Sequence, residues 1–389
     1  MTHGMDGTLV APDWPALTLA EVRRLIDRFP QFRGPVEILT VSPRPFSAAG
    51  LVKTAAGTVF VKRHARQVRD REGLAEEHRF MAHLREHGAA VPRVFADAAG
   101  ETAIEDGEWT FEVHEAAPGV DLYGDALSWT PFRCAQHAYA AGEAMARMHT
   151  AAEKFDAPRR KTQPLVASFT IFAAQDPALA MEAYLAERPS LAGNAKVRAC
   201  ADEVLELLAP FHARLAPLLP ALHPLWTHND LHASNMLWAD DDSQSDVHSR
   251  ATAIIDFGLA DRTNAIYDLA NAIERNILEW LVLVANPEEP DKMPIHFDHL
   301  ESLLAGYESA RTLTAAERSA LAPMTALCHA EFALSEADYF AGILHSEEKA
   351  RMAYDGWLVG HARWFRTDAG RRLLDAIDRF AHAHAEAAR

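Results

Sequence analysis

The first third of the chain alternates apolar and polar positions in short runs, the period of half-buried strands. The segments "VEILTVS", "GLVKT" and "TVFVKRH" predict strands, the last two joined by a tight turn at Ala55–Gly57. "TAIEDGEWTFEVHEA" predicts a hairpin turning at Asp106-Gly107. Two stretches carry a helical period instead. "TLAEVRRLIDRF" opens on a Thr18-to-Glu21 capping box, and a second helix runs from about Glu72 to His87, stopping at Gly88 with Pro92 beyond.

After Pro118-Gly119 the pattern becomes mostly helical. Thr130-Pro131 opens a long Ala-rich helix to about Thr150. Two short strands, "MLWA" and "TAIIDF", interrupt the helices and flank "DDDSQSDVHSR", a charge-rich insert that predicts a solvated hairpin loop. No internal repeat is present, and the terminal "AHAHAEAAR" reads as the end of a helix. The expected class is α+β. A small antiparallel sheet lobe with one key helix (residues 1–115, with an N-terminal helix extension) precedes a larger helical lobe (residues 116–389), the change falling near residues 112–120.

Composition narrows the function. The chain has 389 residues, 49% hydrophobic and 24% charged, with formal net charge −17. That balance suits a globular protein and argues against nucleic acid as a partner, which needs a basic face to displace counterions. The most apolar helical stretch, "ILEWLVLVA", is too short for a membrane span and carries Glu279, so no membrane partner is expected. "MTHGMDGTLVAPDWP" has neither the basic nor the apolar region of a leader, and Cys134, Cys200 and Cys328 form no CxxC pattern. A cytoplasmic protein is the expectation. No residue pattern fixes an oligomeric state.

Four features carry candidate chemistry. Lys62 ends the strand "TVFVKRH", where an ammonium among Val and Phe is costly unless it meets an anion; the bland alternative is a surface lysine on an edge strand. Glu77 shares a helix face with Leu74, Met81 and Leu84, so its carboxylate needs a cation and Lys62 can supply one; Glu76 is the exposed alternative. In "LWTHNDLHASNMLW", Asp230 followed five residues later by Asn235 suits a loop that sets a carboxylate beside a hydroxyl and an amide oxygen beside a metal, with His228 bracing it. In "AIIDFGLAD", Asp256 ends a β-branched strand, where it can chelate Mg²⁺ with Asn235 while Gly258 permits a sharp turn.

Taken in order and spacing, "HNDLHASN" followed by "IIDFGLAD" resembles the catalytic and metal-binding loops of the aminoglycoside phosphotransferase/choline kinase family, small-molecule relatives of protein kinases. "VFVKRH", the Glu77 helix, "GVDLYGD" and "YDLANAIE" extend the resemblance over roughly residues 35–280. "GEAMARMHTAAEKF" with "YDLANAIERN" is similar to homoserine-kinase-like and hydroxylysine-kinase-like members. The chain departs from the protein-kinase pattern. It has no G-x-G-x-x-G, the matching turn being "RPFSAAG"; Asn229 stands where protein kinases carry Arg; and no APE motif follows Asp256.

The resemblance implies a bilobal protein-kinase-like fold, with ATP and Mg²⁺ as cofactors and a small hydroxyl-bearing acceptor. Lys62, held by Glu77, would grip phosphates, and backbone near Ser47 and Gly50 would cradle them. Glu112, Val113 and His114 would present backbone to adenine. Asn235 and Asp256 would hold the metal, and Asp230 would orient the acceptor hydroxyl and take its proton. His228 is structural, and Asp268 is an N-cap that by resemblance can also brace the catalytic loop. Acceptors in this family often carry amines, so His232, Glu274 and Glu279 are acceptor candidates, with Tyr339, Phe340, Trp357 and Trp364 as possible aromatic walls.

Three rivals stay open on sequence alone. A metal-dependent hydrolase would use His228, Asp230 and His232 on one strand face. A non-catalytic nucleotide-binding module would keep the fold without turnover. A stress-response-type protein Ser/Thr kinase would share the fold but needs the activation segment that is missing here.

Overall fold

The computed structural model describes residues 2–3, 9–162, 164–239 and 250–387. The polar insert at residues 240–249 lies outside the described residues, so its expected hairpin is not addressed.

The alternating segments build a five-stranded antiparallel sheet from β1 (Glu37–Ile38), β2 (Ala48–Thr54), β3 (Gly57–Ala65), β4 (Ile104–Asp106) and β5 (Trp109–Glu115), in the order β1-β2-β3-β5-β4. Period-two patterning gives the sheet two faces. Val59 and Val61 of β3 join Val52, Phe111 and Val113 in one core, against Val22, Leu25 and Ile26 of helix α1 (Leu19–Ile26). Each such side chain, once buried, contributes roughly 1.5–3 kcal/mol. The register sets Lys62 opposite Glu112, and Lys62, His64 and Glu112 meet helix α2 (Arg71–Glu86) on the other face. The α1 capping box forms as the sequence predicts. α2 is capped by Asp70, whose Oδ1 accepts from the Gly73 amide at 2.8 Å, and it ends before Gly88 at φ +85°.

α2 lies against the sheet but packs its apolar side on the helical lobe. Its Phe80, Met81 and Leu84 belong to the larger, helical core. That core is centred on α6 (Ala265–Ile277), buried at every position, with α3 (Ala135–Ala152), α4 (Pro177–Ala186), α5 (Ala195–Leu215), α7 (Phe297–Ala310), α8 (Ala315–Leu327), α9 (His329–Asp338) and α10 (Asp368–Ala387) around it. α3 crosses α7 so closely that a Cβ on Gly142 would lie 2.0 Å from the Leu303 carbonyl oxygen, and one on Gly306 2.0 Å from that of Tyr139.

Two boundaries differ from expectation. Thr130-Pro131 closes a turn, with the Thr130 hydroxyl donating to Leu127 O at 2.8 Å, and the helix starts only at Ala135. "VEILTVS" contributes only Glu37–Ile38 as a strand, because beyond it the pairing to β2 becomes irregular, with the Leu39 and Thr40 amides both directed at Leu51 O. Among the described residues no helix is long and apolar enough to cross a membrane.

Candidate active site

Two short antiparallel pairs bring the functional loops together. β6 (Pro224–Thr227) pairs with β9 (Asp261–Asn264), and β7 (Met236–Trp238) pairs with β8 (Ala251–Ile254). The 228–235 loop therefore leaves β6 beside the turn that follows β8.

Asp268 holds that loop from behind. Its carboxylate accepts the backbone N–H groups of His228 (3.0 Å) and Asn229 (2.7 Å) and is itself bonded to His149 Nε2 at 2.9 Å. Burial pushes its pKa up, but the His149 bond and the surrounding donors hold the carboxyl below its ordinary value. The N-cap expected of Asp268 is instead Asn264, whose Oδ1 accepts from Ile266 (3.1 Å) and Tyr267 (2.9 Å); Asp268 lies a turn inside the helix. Asn229 sits at φ +62°, a conformation Asn tolerates, and its side chain donates to Ala167 O at 3.0 Å. Asn276 closes the same loop by accepting from Ala233 N (3.0 Å) and donating to Leu231 O (2.9 Å).

His228 bridges the two loops. Its Nε2 lies 2.9 Å from Ile255 O and its Nδ1 accepts from the Asp230 amide at 3.2 Å, which fixes the Nε2–H tautomer. With both ring nitrogens occupied, the hydrolase arrangement of His228, Asp230 and His232 around a metal does not form. His232 instead bonds Ser234 through Nδ1 (2.8 Å), and burial drives its pKa well down, keeping it neutral.

Asp230, Asn235, Asp256, Lys62, His232 and Ser47 line one cleft. Asp256 ends β8's loop at φ +61° and meets Lys62 Nζ at 2.8 Å. Burial opposes both charges. The pair nonetheless holds Asp256 far below, and Lys62 above, their ordinary values. Lys62 is buried, so the surface reading does not hold. Asn235 Nδ2 donates to Asp230 O (2.9 Å) and Oδ2 (3.2 Å), which turns the amide oxygen the other way. A carboxylate and an amide oxygen on adjoining loops are hard oxygen donors that fit a divalent cation such as Mg²⁺. Burial raises the pKa of Asp230 despite the opposing charge of Arg275, whose Nη1 lies 2.8 Å from Asp230 Oδ1.

Several expected site residues lie elsewhere. Glu77 does not hold Lys62; it faces Arg160 Nη2 at 3.6 Å, and Glu76, expected to be exposed, is buried 3.9 Å from Arg160 Nε. Gly50 is buried in β2, where a Cβ would meet Thr40 O at 2.1 Å, so it serves packing and not a phosphate cradle. The backbone of Glu112, Val113 and His114 is consumed by the sheet: β3 lies on one edge, while on the other Phe95 N–H donates to Val113 O (2.8 Å) and Val94 bridges His114. The Glu112 carboxylate is surrounded by His64 (3.0 Å), His78 (2.7 Å) and His114 (2.8 Å). Glu274 turns to His361 Nδ1 at 2.9 Å, and Glu279 turns to His296 at 2.8 Å. Neither reaches the cleft, nor does Trp364, which packs on Trp280. Tyr339 and Phe340 stand behind Phe46, and the cleft's aromatic walls are Phe46, Trp129 and Phe332.

The arginines were not singled out from sequence. Arg160 donates to Gly73 O (2.7 Å) and Gly258 O (3.0 Å), and Arg69 also donates to Gly258 O (2.8 Å), so together they clamp the turn after Asp256 to α2. Arg275 had one legible signal: it lies seven residues after Asp268, two turns along the same helix face.

A model of the phosphotransferase enzyme family matches residues 47–313. The chain belongs to that family. It is accordingly a phosphotransferase, and the matched span contains Lys62, Asp230, Asn235 and Asp256 of the cleft. A search of curated proteins returned no match. Among solved structures, a microcompartment-associated aminopropanol kinase is 16% identical at TM-score 0.56, covering 90% of this chain and 99% of that one. An amicoumacin kinase bound to AMP-PNP, Ca²⁺ and amicoumacin is 14% identical at TM-score 0.55, covering 88% and 95%. A choline/ethanolamine kinase family protein from Mesorhizobium loti is 17% identical at TM-score 0.52, covering 92% and 98%. These likenesses show a shared fold, the protein-kinase-like α+β arrangement expected from the motifs.

Proposed function

We propose that this phosphotransferase moves the γ-phosphoryl group of ATP, with Mg²⁺, to a hydroxyl of a small molecule. The observation that supports this is the convergence of Lys62, Asp230, Asn235 and Asp256, brought together from three separate segments, in one cleft. In this reading residues 1–115 supply the nucleotide side and residues 116–389 the acceptor side. The adenine lies against backbone just beyond Glu115.

The step balances simply. The acceptor oxygen forms a bond to Pγ as the bond from Pγ to the β,γ-bridging oxygen breaks; ADP leaves, and the hydroxyl proton passes to the Asp230 carboxylate. Asn235 and Asp256 would hold the cation, which when bound neutralises charge on the phosphate oxygens. Lys62 positions the phosphates, exchanging its contact with Asp256 for them. Asp230 is fixed by Asn235 on one oxygen and faced by Arg275 on the other, so the hydroxyl approaches between them. Geometry of this kind, with His228 and Asp268 locking the loop backbone, is what phosphoryl transfer asks of a protein that mainly positions and neutralises.

ADP release with Mg²⁺-ATP across amino alcohols, hydroxy amino acids, sugars and aminoglycosides tests the reading, with Asp230→Asn as control. Acceptor-dependent release that the variant abolishes is expected. Release that is indifferent to every acceptor and to the variant would remove the claim.

A further inference from the structure

The acceptor end of the cleft is not built as an amine receptor. The two acids expected to read an amine are spent on histidines, Glu274 of α6 on His361 and Glu279 of the following turn on His296. The α6 side chain that enters the cleft is Arg275. Its guanidinium is almost wholly buried and lies over the Phe332 ring (4.8 Å to the centroid) and near Trp129 (5.8 Å), contacts that fix its plane.

Arg275 is also underused. It approaches Asp230 at 2.8 Å, yet the approach is not aligned as a hydrogen bond: Asp230 Oδ1 and Arg275 Nε both lack a hydrogen-bond partner among the described residues. Two buried polar atoms thus remain unpartnered beside the Asp230 carboxylate. Arg44, which donates to Ser128 Oγ at 3.0 Å, adds a second cation to the same lining. Of the other acids in the lining, Asp256 is paired with Lys62, and burial pushes the pKa of Glu336 up to about 8, which favours its uncharged form at neutral pH. At this end of the lining Asp230 stands beside two arginines, Arg275 and Arg44.

We propose that the acceptor carries a carboxylate close to its reactive hydroxyl, and that Arg275 binds that carboxylate while Asp230 takes the hydroxyl. This rests on the phosphotransfer reading above and names the acceptor class. A guanidinium presents a planar fork of donors matched to a carboxylate, and such charge-assisted pairs are stronger than neutral hydrogen bonds. Binding the acceptor's carboxylate then draws the Arg275 charge from Asp230, which is left free to receive the proton. An amine elsewhere on the acceptor is compatible with this but is not what the site reads.

Matched acceptors that differ by one carboxylate test the idea: serine against ethanolamine, homoserine against 3-aminopropanol, glycerate against ethylene glycol. Each is assayed for ADP release, and for binding by calorimetry in the presence of AMP-PNP and Mg²⁺, with the full-length protein. The carboxylated member of at least one pair is expected to lead by roughly 10- to 100-fold in kcat/KM or in affinity. In Arg275→Gln that ratio falls to near one, mainly through KM, and Arg275→Lys restores part of it. Equal treatment of both members of every pair, or preference for the uncharged one, overturns the proposal, as does an undiminished ratio in Arg275→Gln. Because binding is read separately from turnover, loss of the kinase reading shows as absent ADP release with any acceptor, whereas loss of this proposal shows as absent carboxylate preference.

Discussion

Lys62 and Asp256 meet across 194 residues of sequence, and their contact is the tightest constraint on the phosphate side of the cleft. Lys62→Met should lower kcat/KM by about 100-fold or more, the usual cost of losing one preorganised charge donor. Glu77→Gln should cost far less, under about tenfold, because Glu77 makes no ion pair with Lys62 and lies nearer Arg160. Steady-state kinetics of the two variants side by side checks this; equal losses would mean that Glu77 does hold the lysine during turnover. Asp230 gives a pH signature. Its pKa is raised by burial and lowered by Arg275, and only the ionised form accepts a proton. The acid limb of kcat/KM should therefore lie above the ordinary carboxylate range, rate rising with pH. Arg275→Gln should move that limb to higher pH still, and a profile unmoved by the variant would count against Asp230 as the proton acceptor. At this scale the sequence was readable where residues lie within one loop. Asp230, Asn235 and Asp256 stand at fixed spacings from strand ends. Arg160 and Arg69 act through carbonyls far away in sequence, and no local pattern marks them.

Among the elements, α2 shows both the reach and the limit of periodicity. Its end was legible at Gly88 and its start within a residue of Arg71, and its apolar stripe is correct, but the stripe faces the helical core. That orientation is why Glu77 looks to Arg160 while His78 reaches Glu112. The start of α3 was misplaced because Thr130-Pro131 has the composition of a helix opening, and only the Leu127 carbonyl it bonds shows that it is a turn. The glycines of α3 and α7 make a prediction of their own. Gly142→Ala gains about 1 kcal/mol of helix propensity but forces the Leu303 carbonyl away. Overpacking typically costs about 1–3 kcal/mol, so a net loss of stability is expected in denaturant unfolding. A stabilised variant would show that the crossing can open without cost.

On the scale of the whole molecule, the segment before α1 ties the sheet to the last helices. Trp14 packs edge-on against Trp109 (5.8 Å) and donates through Nε1 to the Tyr339 hydroxyl at 3.1 Å. Asp13 accepts from Lys349 and from Tyr339, and the Pro15 carbonyl accepts from Arg63. Trp14→Ala should cost about 1–2 kcal/mol and expose the sheet side to protease earlier than the helical side. Simultaneous loss of both sides would show that the strap does not join two separable cores.

The same strap bears on how the chain is made. A ribosome adds roughly 5–20 residues per second, so the 325 residues between Trp14 and Tyr339 mean a wait of roughly a quarter of a minute to a minute. The sheet core is complete once Val113 has emerged, long before its tether has anywhere to attach. A nascent chain therefore carries an unsewn seam throughout that wait, with Trp14 able to seat on Trp109 well before its second partner arrives.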